Sequence, residues 1–156
     1  MHARSPQALA YWATFRRSHP KVGEERLYEI FHFGDSEQLA SELAALVLAG
    51  SKRATASSLW TYEAEGRRPP SPGDMSIVTS WSGQPLCIIE TLRIDIRPFR
   101  SVDARFAADE GERDGSIASW RLNHARNFER ECARLGRPFA DDMPVVCERF
   151  RLVDTP

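Results

Sequence analysis

The stretch of residues 42–60, "ELAALVLAGSKRATASSLW", contains the end of a helix, its stop and the start of a strand. Leucine and valine recur at helical spacing up to Gly50, a residue type that often follows a helix C-cap. Lys52 and Thr55 lie three residues apart, so on a straight strand they face opposite sides. They converge only if the chain bends or bulges between them, which Gly50 makes easier. Spacing alone favours the simpler alternative, a helix C-terminus whose two cations interact favourably with the helix dipole.

The pattern on both sides of this stretch predicts an α+β domain. Upstream, Asp35 or Ser36 is expected to cap a helix with a buried apolar stripe. Downstream, "MSIVTSWSGQPLCIIETLRIDIRPF" predicts a hairpin and a long strand, whose second half has one apolar face (Leu92, Ile94, Ile96) and one charged face (Arg93, Asp95, Arg97). About five or six strands and three or four helices, without strict βαβ alternation, predict a small, mostly antiparallel sheet or β-barrel flanked by helices.

The N-terminal segment "SPQALAYWATFRRSHP" predicts a helix over about residues 5–17, with Ser5 as N-cap and proline at the first helical position. Its aromatic stripe is expected to pack on the main body. At 156 residues, the chain is predicted to be a single domain, 1–156.

Composition excludes several classes of protein. The chain is 42% hydrophobic and 28% charged, which is typical of a folded protein, and its net charge of −1 does not favour bulk binding of nucleic acid. No apolar run is long enough to span a membrane, and the start of the chain lacks the apolar core of a signal peptide. Three cysteines without CxxC spacing are expected to be buried thiols, so we expect a cytoplasmic protein.

Further candidates for chemistry lie outside the opening stretch. Glu110 belongs to "AADEGERDGS", an acidic segment that is also the expected composition of a solvated helix junction. His124 lies on the apolar stripe of a later helix, where a hydrogen-bonded core histidine is the simpler interpretation. The aromatic residues Trp60, Tyr62 and Trp81 are suited to stacking on a base. The histidines and cysteines show no metal-ligand spacing.

Several separated motifs in order resemble one known family. "FGDSEQLASELAALVLAGSKRAT", then Gly73 and Asp74 before a strand, then "EGERDGSIASWRLNHARNFERE", resemble the ASCH family. The resemblance runs from about Tyr28 to the C-terminus. It implies a PUA-like fold, a compact β-barrel flanked by helices.

One branch of that family has the same G-x-K-x-x-T motif and hydrolyses the acyl-amide of N4-acetylcytidine and related N4-acylcytidines. The resemblance implies Lys52, Thr55 and Glu110 as catalytic residues, with Glu112 an alternative to Glu110. It implies neither cofactor nor obligatory metal. Arg53, Ser57, Trp60 and Trp81 are the candidates for substrate binding.

The resulting hypothesis is an amidohydrolase in which Thr55 attacks the carbonyl or positions the attacking water, with Lys52 as base. We expect Lys52→Ala to abolish turnover and to leave the fold intact. The alternative is the family's other described role, an RNA-binding protein or metal-assisted ribonuclease, which would bind single-stranded RNA through Arg93, Arg97 and Arg100. The acyl group, the choice between free nucleoside and RNA, and the oligomeric state stay open.

Overall fold

The computed structural model describes residues 5–156, so the first four residues of the predicted domain lie outside it. The described chain contains five α-helices: α1 (Pro6–Ser18), α2 (Glu37–Leu48), α3 (Leu59–Glu65), α4 (Ala104–Glu110) and α5 (Ile117–Arg134). It contains five strands: β1 (Leu27–Phe31), β2 (Ala54–Ser58), β3 (Met75–Thr79), β4 (Pro85–Pro98) and β5 (Pro144–Asp154). Short 3₁₀ turns cover Glu24–Arg26 and Phe99–Ser101.

The strands form one sheet in the order β1-β3-β4-β5-β2. Only the β1–β3 pair is parallel, and the other three pairs are antiparallel. The predicted α+β class with a mostly antiparallel sheet is therefore confirmed. The predicted barrel is not closed, because β1 and β2 are the two edges and a cavity lined by residues of both strands separates them.

The second half of β4 differs from the predicted alternation. The pairing of β4 with β5 shifts register between Thr91 and Arg93, so Leu92 is an extra residue in the ladder. A bulge of this kind reverses which face the following side chains occupy. Leu92 and Ile96 are 49% and 51% exposed, and the predicted apolar face is not buried.

Each helical layer covers its own part of the sheet. Helix α1 begins at the Ser5 cap and packs Ala8, Tyr11, Trp12 and Phe15 against β1, β3 and β4. Helix α2, capped by Ser36, packs on the middle strands, whereas α4 and α5 cover β2 and β5. The ends of α2 and α4 consequently meet at the start of β2.

Within residues 5–156, no helix is both long enough and apolar enough to cross a membrane.

Candidate functional site

The segment that carries Lys52 is held by backbone hydrogen bonds on three sides. After the C-cap Ala49, Gly50 takes a left-handed φ of +80°, and the amides of Ser51 and Lys52 both donate to the carbonyl of Leu46. The amide of Arg53 donates to the Asp109 carbonyl of α4 at 2.7 Å. The carbonyl of Arg53 accepts a hydrogen bond from the amide of Phe150 on β5 at 3.0 Å. The turn after α2 is therefore fixed between α4 and β5.

A second glycine allows α4 to end directly against this segment. Gly111, the C-cap of α4, has a φ of +66°, and a Cβ atom there would lie 2.1 Å from the carbonyl oxygen of Ser51. Only a residue without a side chain permits that approach. The sequence pattern placed the end of a helix near Gly111 but gave no sign of this backbone contact.

Lys52 is buried, with 2% of its surface exposed. Its Nζ donates to the Ala54 carbonyl at 2.8 Å, to Glu110 Oε2 at 3.1 Å and to the Glu110 carbonyl at 3.4 Å. Three acceptors thus surround the three N–H groups of an ammonium. This burial contradicts the expectation that Lys52→Ala leaves the fold intact, because the substitution would leave a buried carboxylate without its cation.

Glu110 is equally buried, at 1% exposure, and both of its oxygens accept hydrogen bonds. Oε2 is paired with Lys52, while Oε1 accepts from the Trp120 indole at 2.9 Å and lies 3.2 Å from His124 Nε2. Burial alone would raise the pKa of Glu110, but Lys52 and His124 outweigh it and hold the pKa well below its usual range. The surrounding cations therefore favour the ionised form of Glu110.

His124 belongs to this site, which its position on an apolar stripe did not indicate. Its ring stacks on Trp120 with centroids 4.3 Å apart, and its Nδ1 lies 3.0 Å from the Trp120 carbonyl. Both ring nitrogens face acceptors, so the protonated ring satisfies both. Burial opposes that charge, but the bond and charge of Glu110, together with Glu112, raise the pKa of His124.

Glu112 is the second carboxylate near the ammonium, with its Oε1 3.6 Å from Lys52 Nζ. Its side chain is 25% exposed and lines the same cavity. Burial and the neighbouring charge of Glu110 raise its pKa to about 7, although Lys52 acts in the opposite direction. Of the two glutamates left open by the sequence, Glu110 is the one bound to Lys52, whereas Glu112 is the one able to exchange a proton near neutral pH.

Thr55, Lys52 and Glu110 line one cavity of about 440 Å³. Thr55 lies on β2 and is half-buried, and its hydroxyl has no hydrogen-bond partner among residues 5–156. It also lines the larger cavity, of about 990 Å³, between β1 and β2. A free hydroxyl in the wall shared by two cavities is accessible to a ligand from either.

The residues proposed for substrate binding are more dispersed. Ser57 lines the larger cavity, whereas Arg53 has a 65% exposed side chain and pairs with Asp109 at 3.2 Å. Trp60 lies under the Arg137 guanidinium, 3.6 Å from its ring centroid, and Trp81 packs against His32 at 4.7 Å. Neither tryptophan lines the two cavities, and the role of all four residues stays a prediction.

Sequence analysis assigned no metal ligands, but the fold brings three together. One ligand atom from each of Glu110, Glu112 and His124 lies within 4.8 Å of the others, a spacing that could hold an ion. The donors are already engaged, however, since the ammonium of Lys52 is within 3.6 Å of both carboxylates and His124 points at Glu110. A metal ion here would face a buried like charge, so this arrangement fits the ammonium better than a metal.

The chain is similar to several proteins of known structure. An ASCH domain from Lactobacillus crispatus JV V101 is 32% identical with a TM-score of 0.85, covering 97% of each chain. Protein EF3133 from Enterococcus faecalis V583 is 34% identical with a TM-score of 0.86, covering 94% of this chain and 87% of its own. The hypothetical protein PH0355, at 16% identity and a TM-score of 0.54, resembles it in fold alone. No curated protein matches the chain.

The sequence model of the ASCH domain matches residues 29–154, which span all five strands except the first two residues of β1. The matched region includes Lys52, Thr55 and Glu110. From this match and the two full-length structural relatives, the chain belongs to the ASCH domain family.

Proposed function

We propose that the protein is an amidohydrolase that removes the acyl group from the exocyclic nitrogen of N4-acetylcytidine or a related N4-acylcytidine. The observation that carries the proposal is the unpartnered hydroxyl of Thr55 in the same cavity as the buried Lys52–Glu110 pair. The resemblance implies three groups for this reaction: the hydroxyl of Thr55, the amine of Lys52 and the carboxylate of Glu110.

The proposed reaction begins with proton transfer from the Lys52 ammonium to the Glu112 carboxylate, 3.6 Å away. A carboxyl group with a pKa of about 7 can accept that proton near neutral pH. The neutral amine then takes the hydroxyl proton of Thr55 while Oγ forms a bond to the acyl carbon and the carbonyl oxygen becomes an oxyanion.

Collapse of the oxyanion breaks the bond between the acyl carbon and N4 of cytosine. Lys52 returns its proton to N4, cytidine departs, and the acyl group remains as an ester on Thr55. Water then attacks the ester with Lys52 again as base, which releases the carboxylic acid and restores the hydroxyl. Throughout, Glu110 stays ionised and holds the amine in place.

Two isosteric substitutions test the nucleophile. Thr55→Val keeps the shape of the side chain without its hydroxyl, and Thr55→Ser keeps the hydroxyl. With N4-acetylcytidine as substrate and cytidine measured by chromatography, we expect wild type and Thr55→Ser to be active and Thr55→Val to be slower by at least about 100-fold. Wild-type turnover by Thr55→Val would contradict the mechanism, and no cytidine from the wild type would contradict the function.

Mass spectrometry distinguishes attack by Thr55 from attack by a positioned water. Quenching during turnover should yield the peptide that contains Thr55 with the added mass of the acyl group. If the peptide stays unmodified during turnover even with a bulky acyl substrate that is hydrolysed slowly, Thr55 positions water instead.

The spacing of Glu110, Glu112 and His124 is the observation behind a second candidate, a metal-assisted ribonuclease or RNA-binding protein. Its expected RNA face is partly neutralised, since Arg93 is paired with Asp95 at 2.8 Å and Arg100 with Asp141 at 3.6 Å. RNA cleavage that a chelator abolishes, or RNA binding that weakens steeply with salt, would support this candidate. Acylcytidine hydrolysis that persists with chelator would support the amidohydrolase.

A further inference from the structure

The larger cavity adjoins the smaller one at Thr55. Thr55, Phe33, Gly34 and Glu131 line both cavities, whereas Lys52 and Glu110 line only the smaller one. A substrate whose reacting carbonyl lies at Thr55 can therefore place one part in each cavity.

The smaller cavity is suited to the nucleoside. The stacked rings of Trp120 and His124 form part of its wall, and Asn123 and Asn127 add amide groups that can bind base edges or ribose hydroxyls. It also contains the Lys52–Glu110 pair, which on the proposed mechanism faces the departing N4. The acyl group would then lie in the larger cavity.

The larger cavity has an excess of negative charge. Four carboxylates line it with two guanidiniums: Glu29, Glu65, Glu131 and Glu148 with Arg67 and Arg134. Arg67 is already paired with Glu29 at 3.3 Å and Glu65 at 2.6 Å, and Glu131 accepts from the Thr61 hydroxyl at 2.7 Å. Glu131 and Glu148 therefore have no cation partner among residues 5–156, and Glu148 is the buried one of the two.

Glu148 is buried, at 9% exposure, and pairs with no cation among residues 5–156. One oxygen accepts the Thr91 hydroxyl at 2.6 Å, while Oε1 has no hydrogen-bond partner in that part of the chain. Burial raises its pKa to about 7, and the charge of Glu29 adds to this effect, whereas the Thr91 hydroxyl and the more distant Lys52 only partly oppose it. A buried carboxylate with a free oxygen in a cavity wall is a site for a cationic group.

The register of the sheet relates this carboxylate to Thr55. Thr55 is directly opposite Glu148 across the β2–β5 pair, so both side chains lie on one face with Cβ atoms about 5 Å apart. A cation only a few bonds beyond the reacting carbonyl would reach Glu148. The rings of Tyr28, Phe31 and Tyr62 in the same cavity offer apolar contact for the intervening methylenes.

We propose that the larger cavity is the acyl subsite and that Glu148 selects a short acyl chain ending in an amine, such as β-alanyl. The proposal rests on the amidohydrolase function and names its preferred substrate class, N4-aminoacylcytidines. The ammonium pairs with the free oxygen of Glu148 while Thr55 attacks the carbonyl.

Two substrates of nearly equal shape test it. N4-(β-alanyl)cytidine and N4-butanoylcytidine differ by an ammonium in place of a terminal methyl group. Relative kcat/KM is divided by the relative rate of hydroxide-catalysed hydrolysis, which removes the difference in intrinsic reactivity. We expect wild type to prefer β-alanyl by at least tenfold after this correction, and Glu148→Gln to reduce the preference to about onefold.

Glu65→Gln is the matched control, because it removes a carboxylate from the same cavity that Arg67 already neutralises. It should retain the preference, which separates a specific pair with Glu148 from the net charge of the cavity. Loss of the preference in Glu65→Gln but not in Glu148→Gln would overturn the assignment.

The wild-type comparison stands even if Glu148→Gln fails to fold. If wild type hydrolyses N4-butanoylcytidine at least as well as the β-alanyl substrate, the acyl-subsite proposal is wrong while the amidohydrolase function holds. If neither substrate nor N4-acetylcytidine yields cytidine, both proposals are wrong.

Discussion

Lys52–Glu110 and Arg53–Asp109 are successive ion pairs across one junction, between the start of β2 and the end of α4, at 3.1 and 3.2 Å. The side chains of the first pair are 1% and 2% exposed, whereas those of the second are 65% and 21% exposed. An exposed pair is screened by water and contributes little to stability, but removing one member of a buried pair leaves an uncompensated charge. Burial, and not separation, distinguishes the candidate site from its neighbour.

The largest effect is expected from removing the buried cation. Lys52→Met keeps most of the aliphatic stem but leaves Glu110 ionised and unpaired, which should lower the free energy of unfolding by about 3–5 kcal/mol. Urea denaturation measures it. The double variant Lys52→Met/Glu110→Gln should regain much of that loss without regaining turnover, because the buried charge is gone but so is the amine. A cost below about 1 kcal/mol for the single variant would mean that the pair is solvated.

The junction itself is tested by two glycines in equivalent positions. Gly111 and Gly66 are the C-caps of two seven-residue helices, with φ of +66° and +64°. A Cβ at Gly111 meets the Ser51 carbonyl at 2.1 Å, whereas nothing lies within 4 Å of one at Gly66. Both alanine variants share the strain of the left-handed backbone, and Gly111→Ala should cost about 1–3 kcal/mol more because of the clash. Equal costs would show that α4 and the Ser51 segment can move apart.

Much of this junction could be predicted from sequence, since local signals specify its elements. Ser36 caps α2, Gly50 follows its end and Asp103 caps α4, each by a short-range preference. The order of motifs then indicated Lys52 and Thr55 as candidate site residues. The long-range features were not visible in the same way: the contact of Gly111 with Ser51 joins residues 60 positions apart, and no pattern in one sequence encodes it.

Long-range contacts also decide the surroundings of His124 and the faces of β4. His124 has the spacing of a core residue, and only the arrival of α4 beside α5 places it 3.2 Å from Glu110. The alternation of β4 was misread because a bulge depends on its pairing with β5 and not on the strand's own residues. Local propensity therefore predicts which elements form, while contacts between elements decide what the site contains.

Glu148 is a buried carboxylate that, unlike Glu110, forms no ion pair among residues 5–156. Glu148 is buried like Glu110, but its pKa is raised to about 7 by burial, whereas Lys52 and His124 overcome burial and lower the pKa of Glu110. Because the pKa of Glu148 is higher in the folded protein than in the unfolded chain, protonation of Glu148 stabilises the folded state at acid pH. This contribution to the free energy of unfolding is lost as the pH rises from about 4.3 through 7. Glu148→Gln should consequently be more stable than wild type at pH 8 by about 1–3 kcal/mol, with little gain at pH 4. Denaturation at a series of pH values tests this, and a difference independent of pH would contradict it.

The smallest effect is expected at the exposed pair. Arg53→Ala removes a guanidinium that is mostly in water, and Asp109 keeps a second partner, Arg149, at 3.1 Å. The free energy of unfolding should therefore change by less than about 0.5 kcal/mol, and less still at high salt. Stability and KM for N4-acetylcytidine should be measured together, because Arg53 is also a candidate for substrate binding. A raised KM with unchanged stability would show that Arg53 contacts substrate, and would give the two adjacent cations separate roles, one in the fold and the reaction, the other in binding alone.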